Sequence, residues 1–304
     1  MKKALSIFFL LLSLLAFKNI AYAQPEVDAC FNFNIAGDYK RAIGAGQLAI
    51  KKYPYNTYAY YCLGLAYRSV GEFILAYENM KKALSLTNSM KQLMYTYNQL
   101  GIILDDMGYS DDALLDYRRS LRLAMYFDDT HMQSSLLDNI GEIYDGKGES
   151  DKALSYYDKS LSLTTNEKGR ANIYNNIAIL YDDKGDYQKA IEYFHKAIEI
   201  DERYGKYRSV SGTKLNLGNT YRKMKDYENA EKYLSEGLED AKEVGDKRLE
   251  ATGYTFFGML YEDKGDKKTA KENYKRAYNL FKSIGAEKDA QEVLKEMRNL
   301  DKSN

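Results

Sequence analysis

Proline, histidine and cysteine each occur only twice in 304 residues, and acidic and basic side chains balance at 44 each. Each shortage excludes something. With two prolines, long stretches are free to run as uninterrupted helix. With no net charge there is no global field to hold nucleic acid or an anionic membrane. The histidines, His131 and His195, have no serine or cysteine in a repeated relation to them. GxGxxG, GxxxxGK(S/T) and HExxH are all missing, and with them the usual marks of dinucleotide, phosphate and zinc chemistry. The paired acids Asp105-Asp106 and Asp182-Asp183 recur at one position of a repeat, which marks a scaffold feature and not a metal site. No convergent titratable set remains. The chain therefore reads as a non-enzyme with no cofactor and no metal.

Long apolar runs are also missing, except at the start. Lys2 and Lys3 precede an uncharged run over residues 4–17, and Ala21-Tyr22-Ala23 supplies a small-x-small cleavage pattern. This predicts a secretory signal cut between Ala23 and Gln24. The run is short for a membrane span, which takes about 20 apolar residues; an uncleaved anchor is the alternative. Cys30 lies too far past the run for a lipid anchor, and Asp28 interrupts the stretch. The expected location is the periplasm or the exterior. Export makes a disulfide between Cys30 and Cys62 chemically accessible. The other reading leaves Cys30 as a small core residue and Cys62 as a half-buried one.

What the chain has in quantity is repetition. A small residue recurs at Cys30, Gly64, Gly101, Gly141, Ala178, Gly218 and Gly258. Twelve residues later stands alanine, at Ala42, Ala76, Ala113, Ala153, Ala190, Ala230 and Ala270. Seven further on come Ala49, Ala83, Ser120, Ser160, Ala197, Gly237 and Ala277. Steps of 34, 37, 40, 37, 40 and 40 residues separate the units, a period that means stacked supersecondary units. Within one unit, Ile173, Tyr174, Ile177 and Tyr181 form a helical stripe, Gly185 stops it, and Ala190, Ile191, Phe194, Ala197 and Ile198 form a second stripe. The same stop falls at Gly37, Gly71, Gly108, Gly148 and Gly265, with Lys225 the departure. A tyrosine-rich column (Phe33, Tyr67, Leu104, Tyr144, Tyr181, Tyr221, Tyr261) reads as packing. Insertions of three and six residues match one or two helical turns and predict longer helices. Residues 128–130 are expected to form a loop. Residues 289–300 place Ala290, Val293, Leu294, Met297 and Leu300 on one face of a polar-backed capping helix.

Units such as CLGLAYRSVGEFILAYENMKKALSL and NIAILYDDKGDYQKAIEYFHKAIEI resemble the tetratricopeptide repeat family. The resemblance runs from about residue 24 to 285. It implies an all-α, right-handed α-solenoid whose concave groove binds a peptide or protein. Seven units are expected at about 24–56, 57–90, 94–127, 134–167, 171–204, 211–244 and 251–284, with a capping helix and disordered tail over 286–304. No unit has the lysine and asparagine one turn apart that the family's carboxylate-clamp members need.

The groove then takes its lining from the first helix of each unit. The candidates are Tyr95, Asn98, Ile102 and Asp105; Asp138, Glu142 and Asp145; Asn172, Asn175, Ile179 and Asp182; Asn219 and Arg222. Asparagine both donates and accepts, which suits an extended peptide backbone. Of the acids, Asp105 and Asp106, Asp145, Asp182 and Asp183, and Glu262 and Asp263 stand at helix C-termini, where the helix dipole disfavours them by roughly 0.3–1 kcal/mol each. Lys147, Lys184 and Lys264 follow directly and are one offset. Either the acids are merely solvated, or they attract a basic partner segment. At the amino-terminal end, Val27, Phe31, Tyr58, Tyr61 and Leu65 predict an exposed apolar patch. The leading functional expectation is a non-catalytic interaction scaffold of a bacterial cell envelope. The alternatives are a periplasmic sensor acting through a membrane partner and a self-assembling accessory subunit of an envelope complex; a homo-oligomer fits the last.

Overall fold

The computed structural model describes residues 24–302. The expectations about the signal segment fall on residues 1–23 and lie outside that range. Fifteen helices and no strand occur among the described residues. The chain divides into two compact units, residues 1–163 and 164–304.

The first unit contains α1 (Pro25–Ile35), α2 (Tyr39–Lys52), α3 (Thr57–Ser69), α4 (Phe73–Leu86), α5 (Met90–Asp106), α6 (Ser110–Tyr126), α7 (Thr130–Gly146) and α8 (Ser150–Leu163). They pair as four antiparallel hairpins, with α2, α4 and α6 also packing on α3, α5 and α7 of the next hairpin. The second unit contains α9 (Glu167–Asp183), α10 (Tyr187–Arg203), α11 (Tyr207–Lys223), α12 (Tyr227–Glu243), α13 (Lys247–Asp263), α14 (Lys267–Ser283) and α15 (Glu287–Lys302). These form three more hairpins and a final helix on α14. Each unit is an all-α solenoid segment.

The insertions lengthen helices, as the sequence predicts. The first four helices have 11 to 14 residues, whereas α5, α6, α7 and every helix from α9 to α14 have 17. The loop expected at residues 128–130 shrinks to a turn, because Thr130 already begins α7 and Asp129 caps it through Met132 N. Lys225 holds φ +62° where the other hairpins use glycine. A residue with a Cβ reaches this left-handed region only against steric resistance.

The repeated columns meet in the core. A Cβ built on Gly101 would lie 2.6 Å from the ring of Tyr117, and one on Gly258 would lie 2.5 Å from Tyr274. The glycine lets a second-helix tyrosine lie flat against the first helix. Where serine replaces alanine, the hydroxyl is buried and satisfied. Ser120 donates to Met94 O at 2.7 Å, and Ser160 to Ser134 O at 2.7 Å. The tyrosine column packs as expected, by stacking on a second tyrosine three residues past the column alanine. Tyr144–Tyr156, Tyr181–Tyr193 and Tyr221–Tyr233 have centroids 5.3, 5.8 and 5.4 Å apart and nearly parallel planes. In α15, Ala290, Val293 and Leu300 are buried against Tyr274, Ala277 and Phe281, with Met297 packed beside them. The helix runs on through Lys302, past the point at which the sequence predicts a tail.

Candidate functional site

In the first unit, α5 carries Tyr95, Asn98, Ile102 and Asp105, and α7 carries Asp138, Glu142 and Asp145. Tyr95, Asn98 and Asp138 are buried, the other four half-buried. The acids gather around two phenols supplied by the second helices, Tyr117 on α6 and Tyr157 on α8. Burial holds the Tyr117 hydroxyl well above its ordinary pKa, and Asp105, Glu142 and Asp106 push it the same way while Arg68 opposes them. Burial likewise raises Tyr157, reinforced by Asp138, Glu142 and Asp145. Glu142 acts on both phenols, so the acids of α5 and α7 form one set. Arg68 on α3 holds Asp106 at 3.0 Å, with both side chains nearly buried.

In the second unit the corresponding face carries cations beside its acids. Asn172, Ile179, Asn219 and Arg222 are half-buried, and Asn175 and Asp182 buried. Thr213 donates to Asn175 Oδ1 at 3.3 Å, and Arg222 Nε to Asn219 Oδ1 at 2.9 Å. Asp182 Oδ2 meets Lys223 Nζ at 2.5 Å, and Asp263 meets Arg222 at 2.5 Å. Tyr274 donates to Glu262 at 2.8 Å. Lys223, supplied by the next hairpin, pairs with Asp182. The offset expected from the lysines that follow the acids is corrected for two of them: Lys147 reaches Asp111 and Lys264 reaches Glu231. Cations that do meet helix-terminal acids include Arg68, Arg222 and Lys223.

The apolar patch expected at the amino-terminal end is not exposed. Val27, Phe31, Tyr61 and Leu65 are buried and Tyr58 half-buried. The physical reason is close packing of α1 on α3 as well as on α2. Cys30 and Cys62 form a disulfide across α1 and α3, with Cα atoms 6.3 Å apart and both residues fully buried. Asn34 Nδ2 donates to Cys62 Sγ at 3.0 Å and to the Cys30 and Cys62 carbonyls at 3.2 Å each. Exposed large apolar residues of this unit include Ile35, Tyr55, Ile74, Met125 and Tyr126.

His131 lies on α7 and not in a connection, and His195 is on the solvent side of α10, edge-on to Tyr233. Among the described residues no three His, Cys, Asp or Glu side chains group as metal ligands. Among them, too, no helix is long and apolar enough to cross a membrane. The sequence reading missed the buried phenols and the cation Arg68. Tyr117, Tyr157 and Tyr274 stand four residues past a column alanine, a spacing that was available as a signal.

Residues 132–203 and 209–283 match the tetratricopeptide repeat family. Over 102 residues the chain is 33% identical to the photosystem I assembly protein Ycf3 of Prochlorococcus marinus (strain MIT 9303), a match covering 32% of this chain. The chain spans 56% of that relative's length. Among solved structures, the apo form of the quorum sensor NprR from B. thuringiensis matches with a TM-score of 0.67 and 15% identity, covering 90% of this chain and 86% of that one. A Rap protein complexed with competence and sporulation factor matches with a TM-score of 0.64 and 14% identity, covering 95% and 90%. At these identities the likeness shows the fold, an all-α solenoid.

Proposed function

We infer that this tetratricopeptide-repeat protein is a non-catalytic scaffold that binds a protein or peptide segment along the first helices of its hairpins. Its place is the bacterial cell envelope, after cleavage between Ala23 and Gln24. The observation that carries the binding reading is the acid set of the first unit. Asp105, Asp138, Glu142 and Asp145 converge over Tyr117 and Tyr157, with Arg68 the cation acting on Tyr117. Asp105 and Asp145 stand in the last turns of α5 and α7, against the helix dipole. The half-buried members of the set, Asp105, Glu142 and Asp145, are suited to a partner bearing lysine or arginine. That a Rap protein of the same fold is known with a bound factor supports the class of function, not the partner.

The location rests on the charged start, apolar run and small-x-small pattern of residues 1–23. A fully buried Cys30–Cys62 disulfide supports it, since such bonds persist in oxidising compartments.

Binding of the processed chain to a fluorescent lysine-rich extended peptide tests the reading. Affinity should fall as salt rises from low to physiological, where screening reaches about 8 Å. Charge reversal at the half-buried Glu142 and Asp145 together should abolish most of it while circular dichroism stays unchanged. Equal binding of a glutamate-rich peptide, or indifference to the reversals, would place the partner elsewhere. A pull-down from envelope extract, identified by mass spectrometry and repeated with the reversed variant, then names the partner.

A further inference from the structure

We propose that Gln24, once it is the first residue of the processed chain, closes on itself into a five-membered lactam, and that Asn56 promotes the closure. This rests on the cleavage between Ala23 and Gln24 inferred above. The geometry of two helix starts carries it. Gln24 is the N-cap of α1, its carbonyl accepting from Val27 N at 2.9 Å and Asp28 N at 3.0 Å. Asn56 is the N-cap of α3, its Oδ1 accepting from Tyr58 N at 2.7 Å and Ala59 N at 3.2 Å. Those two bonds fix which way the Asn56 amide faces. Its Nδ2 is left to donate, and it donates to Gln24 Oε1. The atom it meets must then be the oxygen, so Gln24 Nε2 points the other way. Both residues, with Tyr53, Pro54 and Tyr55, line an open recess at the α2–α3 turn.

That arrangement is poised for one intramolecular step. The free α-amine of Gln24 attacks its own Cδ, forming an N–Cδ bond. Negative charge develops on Oε1, where Asn56 Nδ2 already donates; a donor aimed at a developing oxyanion lowers the barrier. The Cδ–Nε2 bond then breaks, and an amine proton leaves with the nitrogen as ammonia. No oxidant, reductant or second substrate is needed. The attacking amine must be neutral, and an α-amino group with an ordinary pKa of about 7.7–8.0 supplies that form near neutral pH. The product also suits the fold. A charged amine beside the positive end of the α1 dipole is unfavourable, and the lactam removes that charge while its oxygen keeps the Asn56 bond. A chain so closed offers aminopeptidases no free amine.

The test follows intact mass. A chain beginning at Gln24, freshly released from a fusion partner, is incubated at neutral pH and loss of one ammonia is timed. The folded chain should close about tenfold faster than the Asn56→Ser variant and faster than the same chain in urea. Serine still caps α3 but lacks the amide donor, so the comparison isolates the contact from the fold; an unchanged thermal midpoint verifies this. Equal rates in the variant, or a wild-type chain that stays open, overturn the inference. In protein recovered from an exporting host, a start at Gln24 with an open side chain overturns the lactam alone and leaves the cleavage standing. Retention of residues 1–23 removes both.

Discussion

Breaking the Cys30–Cys62 bond should unfasten the amino-terminal hairpin without unfolding the rest. The bond closes a loop with a sequence separation of 32 residues. The loop-entropy relation gives about 12 cal/mol/K for a loop of that size, or about 3.7 kcal/mol at 25 °C. Whole domains are stable by about 5–15 kcal/mol, and in a repeat protein the loss stays near the repeat that suffers it. The hairpin has little reserve. At 11 residues, α1 is below the length of about 12–15 at which isolated helices persist. Its buried side chains are Val27, Cys30, Phe31 and Asn34, and its neighbour α2 buries only Ala42, Gly46 and Ala49. The perturbation is Cys→Ala at each cysteine and at both. If the cross-link dominates, the three variants lose the same stability, because each breaks the same bond. If sulfur packing dominates, the double variant loses the sum of the singles. Urea melts and hydrogen exchange read by mass spectrometry separate the cases. Amides over residues 25–52 should lose protection while those of α5 to α8 keep it. At an m-value of about 1–3 kcal/mol/M, the local midpoint should fall by roughly 1–4 M. Wild-type protection in α1 and α2 of the double variant would refute the reasoning.

Three further outcomes are expected. Lys225→Gly should raise stability by about 1 kcal/mol, because lysine there holds a left-handed φ of +62°; a thermal melt showing no gain would mean another contact compensates. Gly101→Ala should destabilise by about 1–3 kcal/mol, since the added methyl meets the Tyr117 ring at 2.6 Å, and an unchanged melt would show that the ring yields freely. Burial raises the Asp201 carboxyl, against the opposing pull of Lys206 and Lys168. The folded state therefore binds its proton more tightly than the unfolded state, and the contribution present below the unfolded value is lost as pH rises through the folded value. Asp201→Asn should accordingly stabilise at about pH 7 and give no gain at about pH 3, below the ordinary aspartate value of about 3.9; the opposite trend in urea melts would mean that the Lys206 pair outweighs burial.

The fold was legible because its signal is written many times. Seven small–alanine–small columns must be satisfied at once, and helices of 17 residues follow from insertions that match helical turns. What could not be read was which side chains of neighbouring hairpins meet. Arg68 and Asp106 are 38 residues apart, Lys223 and Asp182 41, and Arg222 and Asp263 41. Such pairs depend on how far one hairpin shifts against the next, and no local pattern records that shift. For the same reason Val27, Phe31, Tyr61 and Leu65 looked exposed: each has an apolar neighbour only after α1 settles on α3.

An acid in the last turn of a helix is disfavoured, and in the second unit a cation of a neighbouring hairpin meets Asp182 and Asp263. The first unit answers in that way at Asp106, through Arg68. Around Tyr117 and Tyr157 it concentrates four more carboxylates over buried phenols whose hydroxyls are held protonated far above their usual range. Placing a cation among those acids should separate their contribution to stability from their contribution to binding. An arginine placed on α7 by Glu142→Arg should raise the thermal midpoint modestly, since exposed pairs contribute about 0.2–1 kcal/mol, and should weaken the lysine-rich peptide. A midpoint that falls while binding persists would mean that the acids serve the fold and that the partner docks elsewhere.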